Sequence, residues 1–235
     1  MIFAAILAGG SGSRMGNIEK PKQFLTLGSK PILIHTIEKF SIVNSFEKII
    51  VLTPKNFLSH TKDLIKKYIE DSDNIVVIEG GNLRNDTIMN AIDYINDNFQ
   101  IDDDSIIVSH DSVRPFVTYR IIEENIEFCK EYGACDTVIP ATDTIVESNK
   151  DNKISAIPLR DNLYQGQTPQ TFKINKLAKL YKNINDDDKN KLTDACKIFV
   201  LNNEDVYLVN GDVTNIKITY PYDLKVADAI LKDQV

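Results

Sequence analysis

The chain has 235 residues, 43% of them hydrophobic and 26% charged, and a formal net charge of -7. That length fits one large domain or two small ones with a substantial core, while the acidic balance argues against a nucleic-acid-binding surface, which needs a basic face. No apolar window approaches the ~18 residues of a membrane span, and Met1 to Ala8 runs into glycines without a leader pattern, so a cytoplasmic protein with no membrane partner is expected.

In chain order, the first element is "FAAILA" (3–8), a strand-like apolar run that stops at Gly9, Gly10 and Gly12. Basic residues follow at Arg14, Lys20 and Lys22. "PILIHTIEKFSI" then shows helical spacing, with Pro31 suited to the first helical position. "KIIVLT" (48–53), "NIVVIEG" (74–80) and "SIIVSHD" (105–111) read as further buried strands, rich in Ile and Val. The helical patterns "SHTKDLIKKYIED" and "RNDTIMNAIDYIND" lie between them. Such alternation predicts an α/β fold, a Rossmann-like, mainly parallel twisted sheet flanked by helices. Ligands of such sheets bind at the carboxyl ends of the strands, where the glycine turns fall.

After about residue 140 the pattern changes. "TDTIVESNKDNKISAIPLRDNLYQGQTPQTF" alternates polar and apolar residues around a turn-like "SNKDN", which predicts a protruding β-arm at about 141–168. Helical patterns return in "INKLAKLYKNI" and "DDKNKLTDACKIFVLN". Strand-like "DVYLVNG" and "NIKIT" follow, then a closing helix, "YPYDLKVADAILK". With no repeat or linker, residues 1–235 are expected to form a single domain carrying that arm. Cys129, Cys135 and Cys196 show no C-x-x-C spacing and suggest neither disulfides nor zinc; Cys196 reads as a small buried residue.

The first glycine turn has three readings. A Walker A loop requires G-x-x-x-x-G-K-[ST], which is absent. A dinucleotide fingerprint requires closer spacing than Gly10, Gly12 and Gly16, and an acid where "FLTLGSKPIL" has none, which disfavours a nicotinamide-dependent oxidoreductase. The third is a nucleotidyltransferase loop, in which glycine N–H groups approach a triphosphate while Arg14 and Lys22 neutralise it. A nucleotide-binding module without chemistry would keep the glycines but could dispense with further cations.

"LAGGSGSRMG…PKQF" resembles the signature of the sugar-nucleotide and polyol-nucleotide pyrophosphorylases, and the chain from residue 2 to about 230 resembles the cytidylyltransferases that join CTP to a polyol phosphate. These include the 2-C-methyl-D-erythritol 4-phosphate enzymes of isoprenoid synthesis and the D-ribitol-5-phosphate enzymes that supply teichoic acid and capsule polymers. The resemblance implies a nucleotide-diphospho-sugar transferase type of fold. It also implies a CTP site formed by Leu7, Ala8, Gly9, Gly10, Gly12, Gly81, Asn82, Arg84, Thr87 and Ser112, and Mg²⁺ or another divalent cation as cofactor.

In "EGGNLRNDT" (79–87), Gly81 gives a flat base access to the backbone, and Asn82 or Thr87 can supply hydrogen bonds. Asp86 or Thr87 equally suits helix-start chemistry. In "SHDSVRPF" (109–116), His110 reads as an oriented structural histidine. Asp111, at a strand's carboxyl end, is a candidate to contact Mg²⁺ or orient the acceptor. Arg114, held extended by Pro115, is a candidate clamp for the acceptor phosphate. Family members often carry small residues where this chain has Ser112 and Val113, and this motif, "YQGQTPQTF" and "TDACKIF" resemble the ribitol branch more closely. Ribitol 5-phosphate is therefore the expected acceptor, with methylerythritol 4-phosphate as the alternative.

The resemblance assigns "TPQ" (168–170) to the active-site region and Thr144, Arg160 and Lys217 to the acceptor, the first two acting in a neighbouring subunit. By itself Lys217 reads as the wet face of an alternating strand. A long hairpin is marginal alone in water, which favours a homodimer through the arm. Arg14, Lys22, Arg160 and Lys217 are the expected catalytic cations. No activated nucleophile is needed, because a phosphate monoester with a second pKa of about 6 is already ionised at neutral pH.

Overall fold

The computed structural model of this chain describes residues 1–10, 20–149 and 151–233. Strand β1 (Ile2–Leu7) leads through the first glycine turn to a short 3-10 turn, Lys22–Phe24. A small ribbon of β2 (Thr26–Leu27) and β3 (Lys30–Pro31) precedes α1 (Ile32–Ser41). The alternation then runs β4 (Lys48–Thr53), α2 (Leu58–Tyr68), β5 (Ile75–Glu79), α3 (Arg84–Asn98), β6 (Ile106–Asp111), α4 (Tyr119–Tyr132) and β7 (Ala134–Pro140). The arm contains β8 (Glu147–Ser148) and β9 (Ile154–Ala156). After it come β10 (Tyr164–Lys173), α5 (Ile174–Lys182), α6 (Asp186–Lys189), α7 (Cys196–Leu201), β11 (Tyr207–Asn210) and α8 (Pro221–Asp233).

Among the described residues the main sheet has seven strands, in the order β11-β7-β10-β6-β1-β4-β5. Every neighbouring pair is parallel except those made by β10, which runs antiparallel to both β6 and β7. Side chains alternate between two cores. Ala4 and Ile6 pack with Leu33, Phe40 and Ile122 on the face covered by α1, α2 and α4. Phe3 and Ala5 pack with Ile88, Leu177 and Phe199 on the face covered by α3, α5 and α7. Burial on both faces explains why these strands read as continuous apolar runs. Each fully buried Ile, Leu or Phe contributes roughly 1.5–3 kcal/mol.

The α/β architecture agrees with the sequence pattern, and four local expectations change. Residues 164–173 form β10 rather than the end of an arm, so "TPQ" lies inside the main sheet. The helical run expected over 187–202 is broken before α7, because the Asp194 carboxylate accepts from the Cys196 backbone N–H (2.8 Å). "NIKIT" is not a strand: Ile218 N–H donates to the Val113 carbonyl (3.0 Å) and its own carbonyl accepts from Lys22 Nζ (2.9 Å). Pro31 ends β3 as the N-cap of α1 instead of opening the helix.

Between Thr142 and Gly166 no described residue is buried. Glu147 and Ser148 pair with Ala156 and Ile154 across the hairpin, and Ala141 N–H donates to the Leu163 carbonyl at its base (2.9 Å).

Candidate active site

A cavity of about 300 Å³ opens at the carboxyl ends of β1 and β6. On one side lies the first glycine turn, lined by Leu7, Gly9 and Gly10. Gln23, almost fully buried, donates to the carbonyls of Ala8 (2.6 Å) and Gly10 (3.2 Å) and so pins this turn to the 3-10 segment. Lys22, its neighbour in "PKQF", lines the cavity.

The second glycine turn forms the opposite wall with Gly81, Asn82 and the start of α3. A Cβ on Gly81 would lie 2.4 Å from Asp86 Cβ and 2.8 Å from Thr87 N, so only glycine permits the turn to close on the helix. The Thr87 hydroxyl accepts from Gly81 N–H (3.0 Å) and donates to the Leu83 carbonyl (3.0 Å). Asp86 accepts from Leu83 N–H (3.1 Å), which satisfies an orphan donor at the helix start. Both helix-start alternatives raised by the sequence are therefore in use.

Asp111 stands between the walls. Its Oδ1 accepts from Arg84 (2.6 Å) and its Oδ2 from Lys217 (2.8 Å), with Arg114 Nε 3.7 Å away. Burial opposes ionisation of this carboxyl, but Arg84, Lys217 and Arg114 outweigh it and hold its pKa far below the usual carboxylate range. Asp111 is thus an anion gathering three cations at the floor of a cleft in an acidic protein.

The frame beneath is hydrogen-bonded in detail. Nε2 of His110 lies 3.1 Å from the Arg114 carbonyl, an acceptor only, so this nitrogen carries the proton. Nδ1 then accepts from the Thr168 hydroxyl (2.9 Å), which in turn accepts from Asp111 N–H (3.2 Å). Burial lowers the His110 pKa to about 4, so the ring is neutral near pH 7 and orients the Asp111–Arg114 turn. Arg114 donates to the carbonyls of Asn215 (2.7 Å) and Gly166 (3.4 Å).

Leu7, Gly9, Gly10, Lys22, Gly81, Asn82, Arg84, Thr87, Asp111, Ser112 and Lys217, all singled out from the sequence, therefore line one cavity. Gly12 and Arg14 lie outside the described residues. Ala8 is buried beneath the lining. Arg114 also lies beneath it, its guanidinium bonded to backbone, rather than exposed as a clamp. Thr144 and Arg160 sit on the exposed arm and do not line the cavity, Arg160 donating only weakly to the Thr142 carbonyl (3.4 Å). Burial pushes the Cys196 thiol pKa well up, which removes it as a nucleophile.

Sequence reasoning missed Gln23, Asn215, Asp136 and Asp194. Asp136 carried a usable signal, a charged residue within the strand run "ACDTVIP". Asn215 donates to Gln167 Oε1 (3.1 Å) and the Thr168 carbonyl (2.9 Å), contacts no local pattern announces.

The metal role expected of Asp111 does not fit this geometry. Both its oxygens are engaged by cations, and no group of three or more His, Cys, Asp or Glu suited to a metal occurs among the described residues. Mg²⁺ commonly binds through substrate phosphates with few protein ligands.

A family model described as IspD, 2-C-methyl-D-erythritol 4-phosphate cytidylyltransferase, matches residues 2–233. The chain is 28% identical to a 4-diphosphocytidyl-2C-methyl-D-erythritol synthase of Anaerococcus prevotii, covering 99% of this chain and 96% of that one with a TM-score of 0.79. It is also 28% identical to the 2-C-methyl-D-erythritol 4-phosphate cytidylyltransferase of Francisella tularensis, covering 97% and 98% with a TM-score of 0.79. The corresponding Thermus thermophilus enzyme, 23% identical with a TM-score of 0.73 over 99% and 100% of the two chains, shares the fold. A match over nearly the whole length makes this chain a member of the IspD family of cytidylyltransferases, and hence a nucleotidyltransferase enzyme.

Proposed function

We propose that the protein transfers the cytidylyl group of CTP to the phosphate of a short polyol phosphate and releases pyrophosphate. The observation that carries this reading is the convergence of Arg84, Arg114 and Lys217 on Asp111 between two glycine turns. A cleft of that kind suits two polyanions that must be brought together against their repulsion.

In the reaction an oxygen of the acceptor phosphate attacks the α-phosphorus of CTP in line. The bond to the β-phosphate bridge breaks and its electron pair leaves with pyrophosphate. Catalysis reduces to positioning and electrostatic stabilisation. The glycine turns receive the triphosphate, with Lys22 and, from the sequence, Arg14 neutralising it. Lys217 draws the acceptor phosphate into the cleft beside Asp111, Arg84 faces the CTP to which the sequence assigns it, and Arg114 supports both from below. A divalent cation would arrive with the nucleotide and would supply further neutralisation of the phosphate charge. Such nucleotide chemistry suits the cytoplasm.

Kinship at 28% identity with methylerythritol enzymes favours 2-C-methyl-D-erythritol 4-phosphate as acceptor. D-ribitol 5-phosphate, leading to cell-wall or capsule polymers, is a second reading. It is supported by the motif resemblances and by Val113, which lines the cleft where family members often carry a smaller residue. Pyrophosphate release with CTP and Mg²⁺ and each acceptor in parallel tests both. Turnover with one acceptor assigns the branch, and none with either overturns the polyol reading.

A homodimer through the arm belongs to the same proposal. Ile154, Ile157 and Leu159 are 61%, 60% and 66% exposed there, an apolar set that suits a partner surface. Light scattering after size exclusion at micromolar concentration tests it, and monomer alone would contradict it.

A further inference from the structure

Behind Arg84 lies a polar chain that the reading above leaves without a task. We propose that Gln170 is a positioning residue which, anchored by Asp136 and Asp194, fixes the Arg84 guanidinium against Asp111 and thereby sets the affinity of the cleft for CTP. This rests on the assignment of the cleft to CTP.

The chain runs across the sheet. Gln170 on β10 is paired with Ser109 on β6 and with Asp136 on β7, and it is completely buried. Its Oε1 accepts from Arg84 Nη2 (3.1 Å), while Arg84 Nη1 donates to Asp111 (2.6 Å). On the other side Nε2 donates to Asp136 Oδ1 (3.0 Å) and Asp194 Oδ2 (2.8 Å), with Cys196 Sγ at 3.3 Å. Asp194 is itself held by the Cys196 N–H.

The neighbours dictate which way the amide faces. A guanidinium only donates, so the amide oxygen must face Arg84 whether or not Asp136 carries a proton. Turning the amide over would set its NH₂ against Arg84 and its oxygen against two acids. Gln170 is therefore locked, and it presents one oxygen to one arm of the guanidinium while Asp111 takes the other. Two fixed acceptors define the plane of Arg84 as a single one would not. An arginine so held meets a phosphate without first losing its rotamer freedom.

A purely structural role would make Gln170 matter for stability and not for the ligand. The test is CTP affinity by calorimetry, with melting followed in parallel, for wild type, Gln170→Met, Arg84→Met and the double variant. Gln170→Met is expected to weaken CTP binding ~10-fold, the loss of one hydrogen bond to a charged group. Its kcat at saturating CTP should change far less. The double variant should bind no more weakly than Arg84→Met alone, because Gln170 acts through Arg84. Unchanged CTP affinity in folded Gln170→Met, or losses that multiply in the double variant, would overturn the proposal.

If Gln170→Met does not fold, Asp194→Asn serves instead. Cys196 N–H and Gln170 donate to different oxygens of Asp194, so in the asparagine one of these donors faces an NH₂ and the anchor is broken while the shape is kept. Weaker CTP binding by this variant supports the relay, and wild-type affinity overturns it. Failure of the wild-type protein to bind CTP at all would overturn both the functional reading and the relay.

Discussion

The cleft and the arm place charged residues under opposite conditions. In the cleft, Arg84, Arg114 and Lys217 are held by contacts spanning large separations in sequence, and Asp111 ties them together. On the arm, Thr144 and Arg160 stand exposed. One set is assembled by folding; the other would acquire a site only if a partner docked, as the proposed dimer requires. Burial commits a charge to one geometry, because an unpaired charge in the interior is costly, whereas exposure leaves its use open.

The sharpest way to probe that contrast is to remove the anion at its centre. Asp111→Asn leaves three cations facing one another and should destabilise the fold by about 3–5 kcal/mol in urea unfolding, as breaking a buried ion pair does. Ile157→Ser on the arm should stay within about 0.5 kcal/mol, the range of ordinary surface changes. Equal effects would erase the distinction between the regions. Next in size, Lys22→Ala should lower kcat ~100-fold or more with its circular dichroism unchanged, since one positioned donor is worth about 2.7–4 kcal/mol at the transition state. Retention of most turnover would remove Lys22 from the chemistry. Arg160→Ala should raise the KM for the polyol phosphate by roughly 10-fold, about 1.4 kcal/mol, and leave the KM for CTP alone. A change confined to CTP would contradict the arm's assignment to the acceptor.

The smallest effect is a slope. Burial holds folded His110 at about 4 against 6.5, so its contribution to stability is present above pH 6.5 and is lost as pH falls towards 4. Burial and the neighbouring Asp194 raise Asp136 from 3.8 to about 7, so its contribution is present below 3.8 and is lost as pH rises towards 7. Between these limits the two oppose each other. Asp136→Asn removes one of them, and its stability relative to wild type should climb by about 1 kcal/mol per pH unit between about pH 4.5 and 6.5. Urea midpoints at three pH values measure this, and parallel curves would contradict it.

What was legible in the sequence had local causes. β1, β4 and β6 announce themselves as apolar runs because both faces are buried, β5 by its Ile and Val content although it is only half-buried at the sheet edge, and the turn at Gly81 because a close backbone approach excludes other residues. Asp111 could be read because it ends such a strand, and Lys22 because it belongs to the "LAGGSGSRMG…PKQF" signature. The rest depends on distant partners. Pro169 argues against a strand by ordinary strand chemistry, yet β10 contains it, since the pairing of β10 is decided by β6 and β7. Arg114 looked like a free clamp because the carbonyls that hold it lie at Gly166 and Asn215. Asp194 broke an expected helix for the same kind of reason: Gln170 and Cys196 N–H compete with helical bonding.

One reversal in the sheet has an architectural consequence. Since β10 runs against β7, its neighbour in space and the strand before it in the main sheet, the link between them turns back at the carboxyl edge of the sheet. A parallel successor would have required a crossover returning to the opposite edge. The arm is therefore an enlarged hairpin loop planted on the same rim as the cavity. A partner that gripped the arm, as the proposed dimer would, would stand at the mouth of the cavity, so that assembly and substrate entry would share one threshold.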